Sequence, residues 1–236
     1  MVRFFHNTYI GVMALITVAI TAYLAWTGYE YYSTPLAERF YHEHYDWFKP
    51  SGEGGHDLGI WGTVLMAVGV FLYIPAKRYG IFDRWVRLKY LLEFHIFLCT
   101  LGPILILFHT TFKFGGVVSI AFWSMVIVVL SGVIGRFIYL QIPRGIEGRA
   151  LSLAQAQEKQ QELSAWLENS RSKSSEKMKR KMERESAKLA RQLKGLERMQ
   201  RYFRYWHIAH QPFAVIMAVL VIVHVVATLL LGFNLY

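Results

Sequence analysis

The chain has 236 residues, of which 54% are hydrophobic and 18% charged, and its formal charge is +10. A soluble globular chain is expected at roughly 45–50% apolar and about 25% charged. This balance, with a mean hydropathy of +0.28, excludes a disordered tail or a collagen-like repeat, and one cysteine, Cys99, excludes a disulfide scaffold. The apolar runs are too long for a single soluble core and point to a membrane protein.

A bilayer core roughly 30 Å thick needs about 20 mostly apolar helical residues. Five stretches qualify: 8–27, 58–76, 88–111, 117–141 and 207–233. In lipid the backbone must satisfy its own hydrogen bonds, so each is expected to be a helix. The first follows Arg3, as a signal peptide would. Its apolar run exceeds the usual ~7–15 residues, however, and no A-x-A pattern follows. It reads as a retained N-terminal anchor, 1–27.

Residues 28–57 then carry Arg39 and Lys49 against six acids, a net −4 that suggests a folded acidic cap. The connection 77–89 is basic, with a net +4, and 142–206 carries a net +8. Basic loops stay on the cytoplasmic side. The expectation is therefore a multi-pass protein of a bacterial-type inner membrane, N terminus cytoplasmic, cap and C terminus periplasmic. Nucleic acid is the rival reading of a pI near 9.7. Here the basic residues flank spans, so membrane lipid or a protein partner is the expected counter-charge, and no nucleic acid.

Within 142–206, the stretch 151–169 is rich in helix formers, with Leu153, Leu163, Trp166 and Leu167 near helical spacing. After a polar break at Ser170–Ser175, Met178, Met182, Leu189, Leu193, Leu196, Met199 and Phe203 form a second stripe. The pattern predicts a cytoplasmic helical hairpin whose arms pack on each other. The organisation is thus anchor 1–27, cap 28–57, helices two to four over 58–141, hairpin 142–206 and fifth helix 207–236.

Ionisable side chains inside a span are costly and are functional candidates by default. His95 and His109 lie 14 residues apart in the third span, and His210 and His224 lie 14 apart in the fifth. Fourteen steps of ~100° fall about 40° short of four turns, so each pair shares a helix face, about 21 Å apart along the axis. The third and fifth spans run in the same direction. His95 is therefore expected to meet His210 near the inner face, and His109 to meet His224 near the outer face. Two facing imidazoles supply both axial ligands of a haem iron held between helices. His207, three residues before His210, is the second candidate for the inner ligand. No C-x-x-C-H motif exists, so the reading is two non-covalent haems b. The plain alternative is that the histidines are polar glue between helices.

The repeated His-x13-His on two helices resembles the four-helix dihaem cores of membrane cytochromes b, such as those of quinol-oxidising bc and b6 complexes. The resemblance covers spans two to five, about half the chain, and implies an all-α membrane fold with four helices forming the dihaem bundle. It implies the axial-ligand role for His95, His109, His210 and His224, and electron transfer between a quinone and another redox centre. It also implies small residues beside the macrocycles, for which Gly62 and Ala76, or Ala121 and Gly135, have the spacing. No P-E-W-Y sequence is present, so the family's outer quinol-oxidation site does not carry over. HTTFK (109–113), SGVIGRFIYLQIPRG (131–145) and the HQPFAVIM run opening the fifth span are similar to bacterial cytochrome b subunits attached to soluble or multihaem redox partners.

Arg136, inside the inner end of a span, is the leading candidate for a haem propionate, with Lys113 and Arg204 after it; snorkelling to headgroups is its alternative. Glu93 is a candidate quinone or proton site, or else a salt-bridge partner. His56 is the corresponding candidate at the outer mouth, or else a solvated loop residue. Gly102-Pro103, midway between His95 and His109, predicts a kink. His42-Glu43-His44 lacks a third metal ligand. No nucleotide, flavin or serine-nucleophile motif is present.

The expected function is a dihaem b-type cytochrome subunit passing electrons between a quinone pool and a partner redox protein, a periplasmic cytochrome or a cytoplasmic oxidoreductase. The rivals are a transmembrane ferric reductase and a non-redox receptor or scaffold signalling through the hairpin.

Overall fold

The computed structural model describes residues 2–82, 84–116, 118–140, 153–169 and 176–232, as helices joined by turns and short irregular stretches. The end of the 131–145 run, the start of the hairpin at 142–152 and the break at 170–175 lie outside them. In chain order the elements are α1 (Val2–Thr27), α2 (Tyr29–Ser33), a 3-10 turn (Arg39–Tyr41), α3 (Tyr45–Phe48), α4 (Glu53–Tyr79), α5 (Leu88–His109), α6 (Val118–Leu140), α7 (Leu153–Asn169), α8 (Glu176–Ala227) and a π turn (Thr228–Gly232). Among the described residues, five helices are long and apolar enough to cross a membrane: α1, α4, α5, α6 and α8. The hydropathy pattern therefore finds its helices, and the chain is a multi-pass membrane protein, all-helical among the described residues.

The residues form two compact units, Met1–Val129 with Ile216–Tyr236, and Leu130–Val215. The first is built on the α4–α5 pair. Gly55, Gly62, Gly69 and Ala76 repeat every seven residues on the buried face of α4. Leu98, Leu101, Gly102, Leu105 and Phe108 are buried on α5. Lipid offers no hydrophobic drive to bring helices together, so small residues that let backbones approach are what packs them. A Cβ on Gly62 would stand 2.8 Å from the Gly102 carbonyl oxygen, and one on Gly102 would stand 2.7 Å from that of Gly62. Gly102 thus fits α5 against α4.

The threonines of the first span are satisfied locally. The hydroxyls of Thr8, Thr17, Thr21 and Thr27 donate to carbonyls four residues earlier at 2.7–3.0 Å. α4 stops at Gly80, whose φ of 64° is the left-handed cap that glycine adopts without a Cβ penalty, its N–H bonding Ala76.

The cap is folded around Tyr31 and Arg39. Tyr31 is 1% exposed and stacks on Phe48 at 5.3 Å. Arg39, 5% exposed, donates to the carbonyls of Thr34 (2.9 Å), Thr111 (2.5 Å) and Tyr32 (2.8 Å). It thereby ties the cap to the turn that follows α5. That turn holds Thr111 and Phe112 at φ of 50° and 60°, a region costly for a β-branched residue. The surrounding bonds keep it there.

In the second unit, α7 and the first arm of α8 meet through Gln160, whose amide donates to Ser186 Oγ at 3.3 Å. Leu189 and Leu196 of α8 are buried. α8 runs unbroken through 206 and 207, so the second arm and the fifth span are one helix of 52 residues.

Candidate functional site

The histidines of α5 are set against α4 in the same way twice. His95 Nδ1 lies 3.0 Å from the Gly69 carbonyl oxygen, and His109 Nδ1 lies 2.8 Å from that of Gly55. Gly55 and Gly69 are 14 residues apart, as are the two histidines, so antiparallel helices bring both pairs into register. A carbonyl oxygen only accepts, so each Nδ1 carries the proton and donates it. Each Nε2 is left as the lone-pair nitrogen, the tautomer that binds a metal. Gly59 makes room for this packing, since a Cβ there would sit 2.9 Å from the His109 ring.

The two levels differ in their lining. At His95, the Tyr73 ring stacks at 5.0 Å and 25°, and Cys99 Sγ lies 3.6 Å from Nδ1. At His109, both His224 and His56 stand within electrostatic reach of the ring. His109, His224 and His56 all belong to the first unit. Between the levels lies an apolar layer of Met66, Phe122 and Met125 with Ile106, Leu107, Val126 and Met217. Met217 is seven residues from both His210 and His224, as Gly102 is from both His95 and His109.

His210 belongs to the second unit, where it has its own support. Its Nδ1 lies 2.5 Å from Ser131 Oγ on α6. Trp206 stacks on its ring at 5.0 Å and 29° and donates Nε1–H to the Ser131 carbonyl at 2.6 Å. Gly135 is where the Trp206 indole packs, because a Cβ there would run into it. Gly62 and Gly135 thus meet a helix backbone and an indole respectively. Ala76 and Ala121 are buried. His207, the second candidate for the inner ligand, donates Nδ1–H to the Phe203 carbonyl of its own helix at 3.2 Å.

Glu93 is 5% exposed, and His6 Nε2 of α1 lies 3.5 Å from its Oε1. The sequence reading left the salt-bridge counterpart of Glu93 unnamed and gave His6 no role. Tyr90 packs edge-on against His6 at 5.7 Å and accepts from the Tyr9 hydroxyl at 3.4 Å. Arg136 is half-buried on α6, Arg204 is exposed on α8, and Lys113 is exposed just past the strained turn. His42 and His44 have their rings 5.8 Å apart, with His42 Nδ1 accepting from the His44 N–H at 3.1 Å. Ser131, Trp206, Tyr73 and Arg39 escaped the sequence reading; only the seven-residue glycine repeat of α4 was there to be read.

At the outer level the residues suit a metal held by two imidazoles, since His224 acts on the His109 ring from within the same unit. His95 and His109 have Nδ1 engaged by carbonyls of α4, which orients each ring and leaves Nε2 for a metal, while His210 Nδ1 shares a hydrogen bond with the Ser131 hydroxyl. Comparison with family models, with curated proteins and with solved structures returns no match for this chain.

Proposed function

We propose that this protein is a dihaem b-type cytochrome that carries electrons between a quinone pool and a partner redox protein. The observation that carries the reading is the repeated Nδ1–H to carbonyl bond of His95 and His109, 14 residues apart on both helices. Polar glue needs a hydrogen bond between helices but no repeat of one tautomer at one interval. When bound by two histidines, a haem would supply one-electron transfer.

The chain's own residues do the rest. Gly69 and Gly55 fix the His95 and His109 rings; Ser131 and Trp206 fix His210. His224 is assigned to the outer haem with His109, and His210 is the ligand that the 14-residue spacing assigns to the inner haem. The Met66–Phe122–Met125 layer keeps the two levels apart and dry. Arg136, with Lys113 and Arg204 after it, offers charge to the propionates. Quinone contact is assigned to Glu93 and its neighbour His6 on the basic side, with His56 the equivalent group by the cap. The basic connection 77–89 and hairpin lie in the cytoplasm, and the cap in the periplasm.

Purified chain should give a reduced-minus-oxidised difference spectrum of b type, and a hydroquinone should reduce it. A colourless protein would favour a scaffold instead. A coloured one that reduces ferric chelates and is untouched by hydroquinone would favour a metal reductase.

A further inference from the structure

We propose that α8 between Lys177 and Arg191 carries a docking seam for a soluble partner, which presents a helix with carboxylates at the same repeat. Lys177, Lys181, Arg184, Lys188 and Arg191 recur at alternating steps of four and three residues. At ~100° per residue they fall within an arc of about 80°. All five are exposed. The helix's acids Glu176, Glu183, Glu185 and Glu197 lie outside that arc. Among the described residues no ion pair involves any of the five; the pair on this arm is Arg180 with Glu176 at 4.0 Å.

The apolar side of the same helix is already taken. Ser186 meets Gln160 of α7, and Leu189 and Leu196 are buried. The stripe of Met182, Ser186, Leu189, Leu193 and Leu196 is centred about 140° from the basic row, so the row faces water. Like charges at i+3 and i+4 repel each other, and the helix holds five of them in line.

Headgroups do not supply the counter-charge. Along the axis Arg191 stands about 24 Å, and Lys177 about 45 Å, from His207, where the apolar run begins. The screening length is only about 8 Å in physiological salt. A duplex does not fit either, since a helix lying in a major groove meets phosphates on both flanks and presents cations over a wide arc. A narrow row at a mean 3.5-residue step stays in line with a helix lying alongside, so a partner helix with carboxylates at that step meets each cation in turn. The partner is therefore an acidic helix of a soluble protein. This inference does not rest on haem ligation.

The test uses the full chain in phosphatidylcholine nanodiscs and a 21-residue peptide with glutamates at four-three steps. A control peptide has the same composition with the glutamates scattered. At low salt the seam peptide should bind at least tenfold more tightly than the control. R184Q/K188Q/R191Q should lose about tenfold, whereas K159Q/K194Q/R201Q, which removes the same charge elsewhere on the hairpin, should change less than twofold. Glutamine keeps helix propensity, so the arm stays folded. Equal losses in the two variants or equal binding of the two peptides would overturn the seam. So would tighter binding to phosphatidylglycerol vesicles or to a DNA duplex. A colourless protein that still discriminates the peptides would overturn the cytochrome and leave the seam standing.

Discussion

A histidine inside a membrane is legible from sequence, but the groups that choose its tautomer are not. His95 and His109 were marked by their interval; that Gly69 and Gly55 hold them emerges only when α4 lies antiparallel to α5. Ser131 gave no signal, because a serine in an apolar run is ordinarily satisfied by its own helix. Its bond to His210 makes a specific prediction. Ser131→Ala should leave two haems in place and shift the midpoint of one by about 20–65 mV, the equivalent of one net hydrogen bond of about 0.5–1.5 kcal/mol. A redox titration reads this, and Ser131→Thr should restore most of it. Arg39 was counted merely as a charge in the cap, yet it holds three carbonyls, one of them in the turn after His109. Arg39→Ala leaves those acceptors buried and should cost about 3 kcal/mol or more, seen as a lower melting temperature and preferential loss of the outer haem. Beside it, burial pushes the Tyr32 phenol up to about 12, with Tyr31 adding to the rise and Arg39 opposing it. A raised phenol favours the folded cap fully below its ordinary value near 10 and loses that advantage as the pH climbs towards 12. Absorbance at 295 nm should show Tyr32 ionising last and together with opening of the cap; titration with the exposed tyrosines would contradict this.

At the scale of elements, hydropathy located the five spans because a lipid-facing helix has only its composition to recommend it. What it could not show is which helices touch. The α4–α5 pairing rests on Gly55, Gly62 and Gly69 at seven-residue steps, a repeat visible in the sequence but silent about its partner. Gly62→Val would drive branched carbons into the Gly102 carbonyl, and overpacking of this kind costs about 1–3 kcal/mol. Both histidines of α5 would shift together, so haem content should fall at both levels in a purified variant; loss at one level alone would contradict a shared register. The boundary placed at 206 and 207 was a change of solvent rather than of structure. Hydropathy changes abruptly there, but helix propensity does not, and α8 continues across it. The methionine-rich layer between the histidine levels was not legible, because Met66, Met125 and Met217 come from three different helices.

For the whole molecule, the opening contrast between an apolar chain and a charge of +10 resolves by position. Long spans carry the apolar residues, a basic hairpin and a basic connection carry the excess charge, and an acidic cap offsets part of it. One intervening span is expected to set the third and fifth spans parallel, and the proposed function requires that the four histidines form two pairs across them. The account therefore stands on a stoichiometry. Pyridine haemochrome assay of the purified chain, alongside His224→Ala, tests it most directly. Two haems b per polypeptide in the wild type and one in the variant are predicted; a wild-type value of one or none, or a variant that keeps both, would contradict it.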